Sequence, residues 1–300
     1  MSRRGWVLFG ALSVIWGLPY LFIRVAVEHL SPAVLVCVRT ALASLVLLPL
    51  AARRGTLRPV LARWPWVLAF AAVEIIVPFG LLSWAEVRLS SSLTGLLVAA
   101  VPLSGAVVGV ALRLPDRIRT DVAADRQRLF GLVVGLAGVA ALVGIDLRGG
   151  DLLAALAVLG AAFGYALGPV VANGYLADLP SLGVTVVSMG VTALVYLPWA
   201  MAQRPTAAVP ARAWWSAAVL GIVCSALAFL LFFALVAEVG PGRTTVITYL
   251  NPVVAAALGA SVLRERVTAG MLVGFPLVLL GSWLATRRAG RPAAGDPGDG

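Results

Sequence analysis

A 300-residue chain in which 61% of residues are hydrophobic and only 12% are charged does not read as a soluble domain, which at this length would expose far more charge. Its net charge of +10 does not point to nucleic acid either, because all 23 basic residues are arginine and most stand in short groups between apolar runs. Cys37 and Cys224 lie inside apolar runs and His29, the single histidine, at an expected membrane edge, so no Cys/His metal site and no disulfide are expected.

In chain order, ten stretches are long enough to cross about 30 Å of hydrocarbon at about 20 helical residues each. They cover roughly 5–24, 32–51, 64–84, 91–112, 129–146, 152–172, 181–201, 213–236, 244–263 and 268–286. The first follows Arg3 and Arg4 as a signal peptide would. Yet Gly5 to Ile23 is uncharged, longer than a signal core and followed by no A-x-A site, so it is read as a retained span. Trp64, Trp66, Trp214 and Trp215 fall at span edges, where aromatic rings anchor to the interface. The segment 113–128, "RLPDRIRTDVAADRQR", reads as a solvated linker, and the tail 287–300, rich in Gly, Pro and Asp, is expected to be disordered and cytoplasmic.

The third span carries one carboxylate, Glu74, in the middle of "LAFAAVEIIVPFGLLSWA", four residues before Pro78. A charge at that depth costs about 2.5–3.5 kcal/mol on insertion scales and therefore needs a cavity or a partner. Pro78 cannot donate the hydrogen bond that the Glu74 carbonyl would accept in an α-helix. Side chain and carbonyl are then both available at one depth, suited to a proton, an amine or a cation. The bland alternative is a structural pair with Arg39 of the second span, or a buried protonated acid. For Arg39 itself a structural role is favoured, since its stem can snorkel outward or reach a carboxylate. Pro102, Pro169 and Pro252 withhold partners from the carbonyls of Val98, Tyr165 and Thr248, and bend helices around a cavity or for packing alone. Trp16, Tyr20 and Tyr165, with Tyr249 and Asn251 beside Pro252 in "TYLNP", suit the wall of an amphipathic cavity. The motifs of metalloproteases, nucleophile elbows and phosphate loops are missing, so no enzyme and no cofactor are expected.

Arginine counts orient the chain. With the N-terminus inside, inner segments hold 15 arginines and outer segments 7, Arg39 lying within a span, which puts both termini in the cytoplasm. Sliding the chain by 150 residues brings Pro102 onto Pro252, and "GLVVGLAG" with Gly131 and Gly135 resembles "GMLVGFPL" with Gly270 and Gly274. Trp16-Gly17 and Pro32 fall opposite Phe163-Gly164 and Pro180. Each half holds five spans, and an odd number makes the second half enter from the opposite side. Inverted repeats with interrupted helices in matching places point to a secondary transporter.

These residues resemble the EamA-type transporters of the drug/metabolite transporter superfamily. The resemblance rests on Trp16-Gly17, on "LSPAVLVCVRTALASLVLLPL" with Pro32 and Arg39, on Pro102 and Pro252, and on "LRERVTAGMLVG" with Glu265 and Gly270. The first copy departs from the pattern, with Asp116 near the place of the expected Glu and an arginine-rich insertion after it, so no role is carried to that carboxylate. The resemblance implies a central cavity, with the fifth helix of each unit peripheral. The expectation is an all-α polytopic membrane protein of ten transmembrane helices as two inverted five-helix repeats, 5–146 and 152–286, followed by the tail 287–300. It is expected to export or exchange a small metabolite, amino acid or amphipathic compound across the plasma membrane, possible proton coupling included. Glu265 stands with Arg39 and the prolines as a structural or gating residue. A passive channel or facilitator on the same fold stays open as the alternative. The expected partners are a small-molecule substrate and the lipid bilayer, not nucleic acid, with a homodimer left open.

Overall fold

Backbone groups with no water to bond must satisfy one another, and in chains this apolar the helix does so within one segment. A computed structural model of the chain, described here for residues 2–111, 126–144, 151–240, 244 and 247–286, is built accordingly, and every regular element among the described residues is helical. The linker 113–125, Asp116 and the tail 287–300 lie outside the described residues. In order the elements are α1 (Arg3–Val27), α2 (Pro32–Arg53), α3 (Leu57–Leu61), α4 (Trp64–Ala71), a π-helical turn π1 (Ala72–Ile76), α5 (Val77–Ala85), α6 (Ser91–Val98) and α7 (Val101–Ala111). There follow α8 (Arg126–Gly144), α9 (Leu152–Tyr175), α10 (Ser181–Ala202), α11 (Ala211–Gly221), a second π-helical turn π2 (Ile222–Leu227), α12 (Ala228–Val239), α13 (Ile247–Val262) and α14 (Ala269–Thr286).

Among the described residues, seven helical stretches are long and apolar enough to cross a membrane: Arg3–Val27, Pro32–Arg53, Trp64–Ala85, Ser91–Gly109, Leu152–Tyr175, Ser181–Ala202 and Ala211–Val239. The other three expected spans are shorter apolar helices, Leu129–Gly144, Ile247–Val262 and Ala269–Ala285. Two of the long stretches are not α-helical throughout. Span three changes to π1 at Ala72, and the stretch from Ala211 to Val239 changes to π2 at Ile222. The fourth span is broken rather than bent: the Ala99 and Ala100 amides fall back to Leu96 O and Leu97 O, and α7 restarts at Val101. Pro102 is thus the second residue of a new helix, where its missing N–H leaves nothing unpaired. In the break, the Ser282 hydroxyl of α14 donates to Ala99 O at 3.4 Å.

Small residues let the helices meet closely, as they do in bundles without a hydrophobic drive between helices. Along the α8–α14 seam, a side chain at Gly131 or Gly138 would strike the α14 backbone, and one at Gly274 or Gly281 the α8 backbone. Gly135, by contrast, faces Leu103 of α7. α2 lies along α10, α1 and α6 along α13, and α5 along α9, so every one of these pairs joins the first half of the chain to the second.

Candidate functional site

The π1 turn decides what Glu74 presents. The Val77 amide donates to Ala72 O, one residue further back than in an α-helix. In that register the carbonyl facing Pro78 is that of Val73, not that of Glu74 as an α-helical reading requires. Val73 O points at Gly164 of α9, where an added side chain would meet it at 2.5 Å and the Pro78 ring at 2.8 Å. Tyr196 of α10 reaches across to donate to Ile76 O at 2.8 Å, through room left by Gly80. π-turns of this kind are rare and concentrate at functional sites.

One turn beyond Gly164, the Glu74 carboxylate lies against Gly168, and a side chain at that glycine would collide with Oε2. The oxygen is buried and has no hydrogen-bond partner. Tyr165 stands between these two glycines on α9 and borders two clusters of the core. A bare carboxylate oxygen beside a helix position that carries no side chain could take up a proton or a small cationic group.

Arg39 does not pair with Glu74: no ion pair joins them among the described residues. Its guanidinium lies 3.9 Å above the Phe79 ring of α5, and Nη2 donates to Ser225 Oγ of π2 at 3.4 Å, while Nε has no partner. Ser225 in turn donates to Leu220 O at 2.8 Å. Gly221 leaves room for the Arg39 backbone, so α2 is seated against the start of π2.

The remaining candidates divide. Trp16 packs its ring on Phe232 and Phe229 of α12, at centroid distances of 5.2 and 6.2 Å. Tyr20 is buried beside Gly95 of α6. With its amide oriented to satisfy both ends, Asn251 donates to Ser13 O at 3.2 Å and to Ile247 O at 3.1 Å, fastening α13 to α1. Pro252 and Tyr249 share that helix, Pro252 buried and Tyr249 half-buried, whereas Pro169 is exposed on α9. Among the described residues, no group of three His, Cys, Asp or Glu side chains is placed to hold a metal ion.

Glu265 ties the halves together at the other end of α13. The Glu265 amide donates to Gly259 O at 3.0 Å, and Arg264 takes a left-handed φ of 55°, a helix-ending turn that usually employs glycine. The carboxylate so placed accepts from the Ser91 and Ser92 amides of α6 at 2.8 and 2.9 Å and from the Ser92 hydroxyl. Two of the four donors a helix start leaves unpaired are thereby taken by an anion, and Ser90 takes the Leu93 amide.

At the start of α4, a pocket of about 390 Å³ is lined by Ala62, Arg63, Pro65, Trp66, Gly174 and Tyr175. Trp66 and Tyr175 stack with centroids 3.5 Å apart, and Arg63 holds Asp178 in a two-pronged ion pair at 2.7 Å. The same α4–α9 seam leads on to Glu74, about 10 Å further along α9. Sequence reasoning passed over Gly168; the signal available was the Gly164–Gly168 spacing of one helical turn, which reads as packing until Glu74 is seen across it.

Against known proteins, the model of the EamA-like transporter family matches residues 4–144 and 152–287. The chain is 25% identical over 289 residues to the uncharacterized inner membrane transporter YedA of Escherichia coli K12, covering 92% of each protein. It is 23% identical over 278 residues to the uncharacterized transporter YvbV of Bacillus subtilis, covering 91% of this chain and 88% of that one. A solved crystal structure aligns with 95% of this chain and 98% of its own at a TM-score of 0.63 and 19% identity, a likeness of fold. With two matches to one family model that together span nearly its whole length, this multi-pass membrane protein belongs to the EamA-like transporter family.

Proposed function

We propose that the chain is a secondary transporter of the plasma membrane that exports or exchanges a small amphipathic or cationic metabolite, with Glu74 binding the proton or the cationic group. The carrying observation is the unpartnered Glu74 oxygen held in a π-turn against Gly168. A buried carboxylate oxygen kept without a partner is poor design for stability alone and a normal device in transporters.

Ten spans in two inverted repeats, 5–146 and 152–286, with both termini cytoplasmic, are part of this reading. The two π-turns support it, beginning at Ala72 and Ile222, 150 residues apart as the sequence offset requires. The pairing of helices supports it as well. α2 with α10, α8 with α14 and α6 with α13 are each a span against its own counterpart in the other half. The contact of α5 with α9 likewise has its counterpart in that of α12 with α1.

The test is untargeted profiling of the medium from cells that make the protein and cells that do not. Compounds accumulating outside only with the protein support export, and their movement against a gradient in reconstituted vesicles supports coupling. Purely downhill flux would instead favour a facilitator, and an unchanged medium would remove the export reading.

A further inference from the structure

Glu86 caps the C-terminal end of α5, one residue beyond the Trp64–Ala85 span, and it is 0% exposed with neither carboxylate oxygen hydrogen-bonded. The cations around it are directed elsewhere. Arg24 of α1 donates from Nη1 to the Glu86 carbonyl at 2.6 Å and to the Val87 carbonyl at 3.3 Å, so it holds the turn and not the carboxylate. Arg88 lies 4.9 Å above the Trp84 ring. Arg39 of α2 is spent on Phe79 and Ser225. Besides Arg24 and Arg39, the titratable groups among the described residues that act on Glu86 are Tyr20 of α1 and Glu265.

Glu265 is already satisfied as an anion by the amides that open α6. A second negative charge next to it, buried and without donors, is unfavourable. Burial first and Glu265 second push the Glu86 carboxyl well above the ordinary range, against the weaker opposing pull of Arg24 and Arg39. The Ser83 and Ser91 hydroxyls, buried at the same end of the bundle, also lack partners.

We propose that Glu86 is a proton-binding carboxyl that governs closure of the bundle end where α5, α6 and α13 meet. It holds a proton while Glu265 clamps the start of α6, and releases it to water when that end opens. This role is separate from that of Glu74. The closed arrangement disfavours the carboxylate, so acid favours closure. That preference is fully present below the pKa of a solvated Glu86 and is lost as pH rises through the value in the closed form.

Spin labels on cysteines at Val87 and Val267, which are 48% and 56% exposed, would report this end in full-length protein reconstituted in lipid nanodiscs. With Cys37 and Cys224 replaced, the label separation is expected to lengthen as pH rises, with a midpoint above the ordinary carboxylate range. Glu86→Gln is expected to hold the short separation at every pH, and Glu86→Asp to keep the transition with a displaced midpoint. Glu74→Gln is expected to leave the transition intact, which separates this site from the other. A wild-type separation that ignores pH overturns the proposal. So does an unchanged transition in Glu86→Gln or, should that variant not fold, an unchanged midpoint in Glu86→Asp.

Discussion

Replacing Gly168 by alanine puts a methyl group where the Glu74 carboxylate lies. The added carbon meets Oε2 first, then Glu74 Cδ at 2.8 Å and Glu74 Cβ at 3.3 Å. The carboxyl end is flexible, and forcing it off its rotamer costs about 0.5–1.5 kcal/mol, while Cβ, which no rotamer moves, must give by a few tenths of an ångström. Alanine in a helix interior regains about 0.8–1 kcal/mol over glycine. The two nearly cancel, so Gly168→Ala should keep its stability within about 1 kcal/mol, a shift of no more than about 4 °C in thermal midpoint. The carboxylate, however, is pushed from its place, and transport should fall. Gly164→Ala is the control one turn away. There the added carbon meets Val73 O and the Pro78 ring, which cannot rotate aside, and overpacking of about 1–3 kcal/mol should exceed the helix gain. Thermal unfolding of both purified variants, and export by cells carrying equal amounts of each, would decide. A Gly168→Ala protein that exports like wild type, at wild-type stability, would refute the claim that the position of Glu74 matters.

Other variants test the frame around the site. Glu265→Ala removes two charge-assisted bonds to the α6 amides, and at about 1.5–3 kcal/mol for each the thermal midpoint should drop clearly; an unchanged midpoint would mean that α6 does not need its anionic cap. Arg264→Gly relieves a left-handed arginine and should raise stability by about 1 kcal/mol in the same assay. Asp178→Ala breaks an ion pair whose side chains are 44% and 62% exposed, so denaturation should register less than about 1 kcal/mol.

Hydropathy made most of the architecture legible, because helix formation in lipid is dictated by backbone satisfaction and needs no tertiary detail. Glu74 was legible for the same reason: a carboxylate in the centre of a span has no bland surface reading. The π-turn around it was not, since its ladder shift accompanies a contact far along the chain, the Tyr196 hydroxyl on Ile76 O. Nor was the break in the fourth span, where Pro102 begins a helix and Ser282 takes up a carbonyl in the gap. The Arg39–Glu74 pair was a fair reading of two buried charges in adjacent spans, but the helix faces send Arg39 to Phe79 and Ser225. Glu86 escaped notice because an acid at a span edge reads as solvated. Its burial depends on the turn into α6, held by Arg24 through two carbonyls.

The charge requirement at Glu74 is the most direct test of the account. Glu74→Gln keeps the shape of the side chain and its place against Gly168 while removing the ionisable group. Comparing wild type, Glu74→Gln and cells without the protein, at matched membrane levels and over a range of pH, measures the compounds found by medium profiling. The account predicts that Glu74→Gln inserts normally and that export falls to the level of cells lacking the protein. Export by Glu74→Gln equal to wild type at every pH would contradict it.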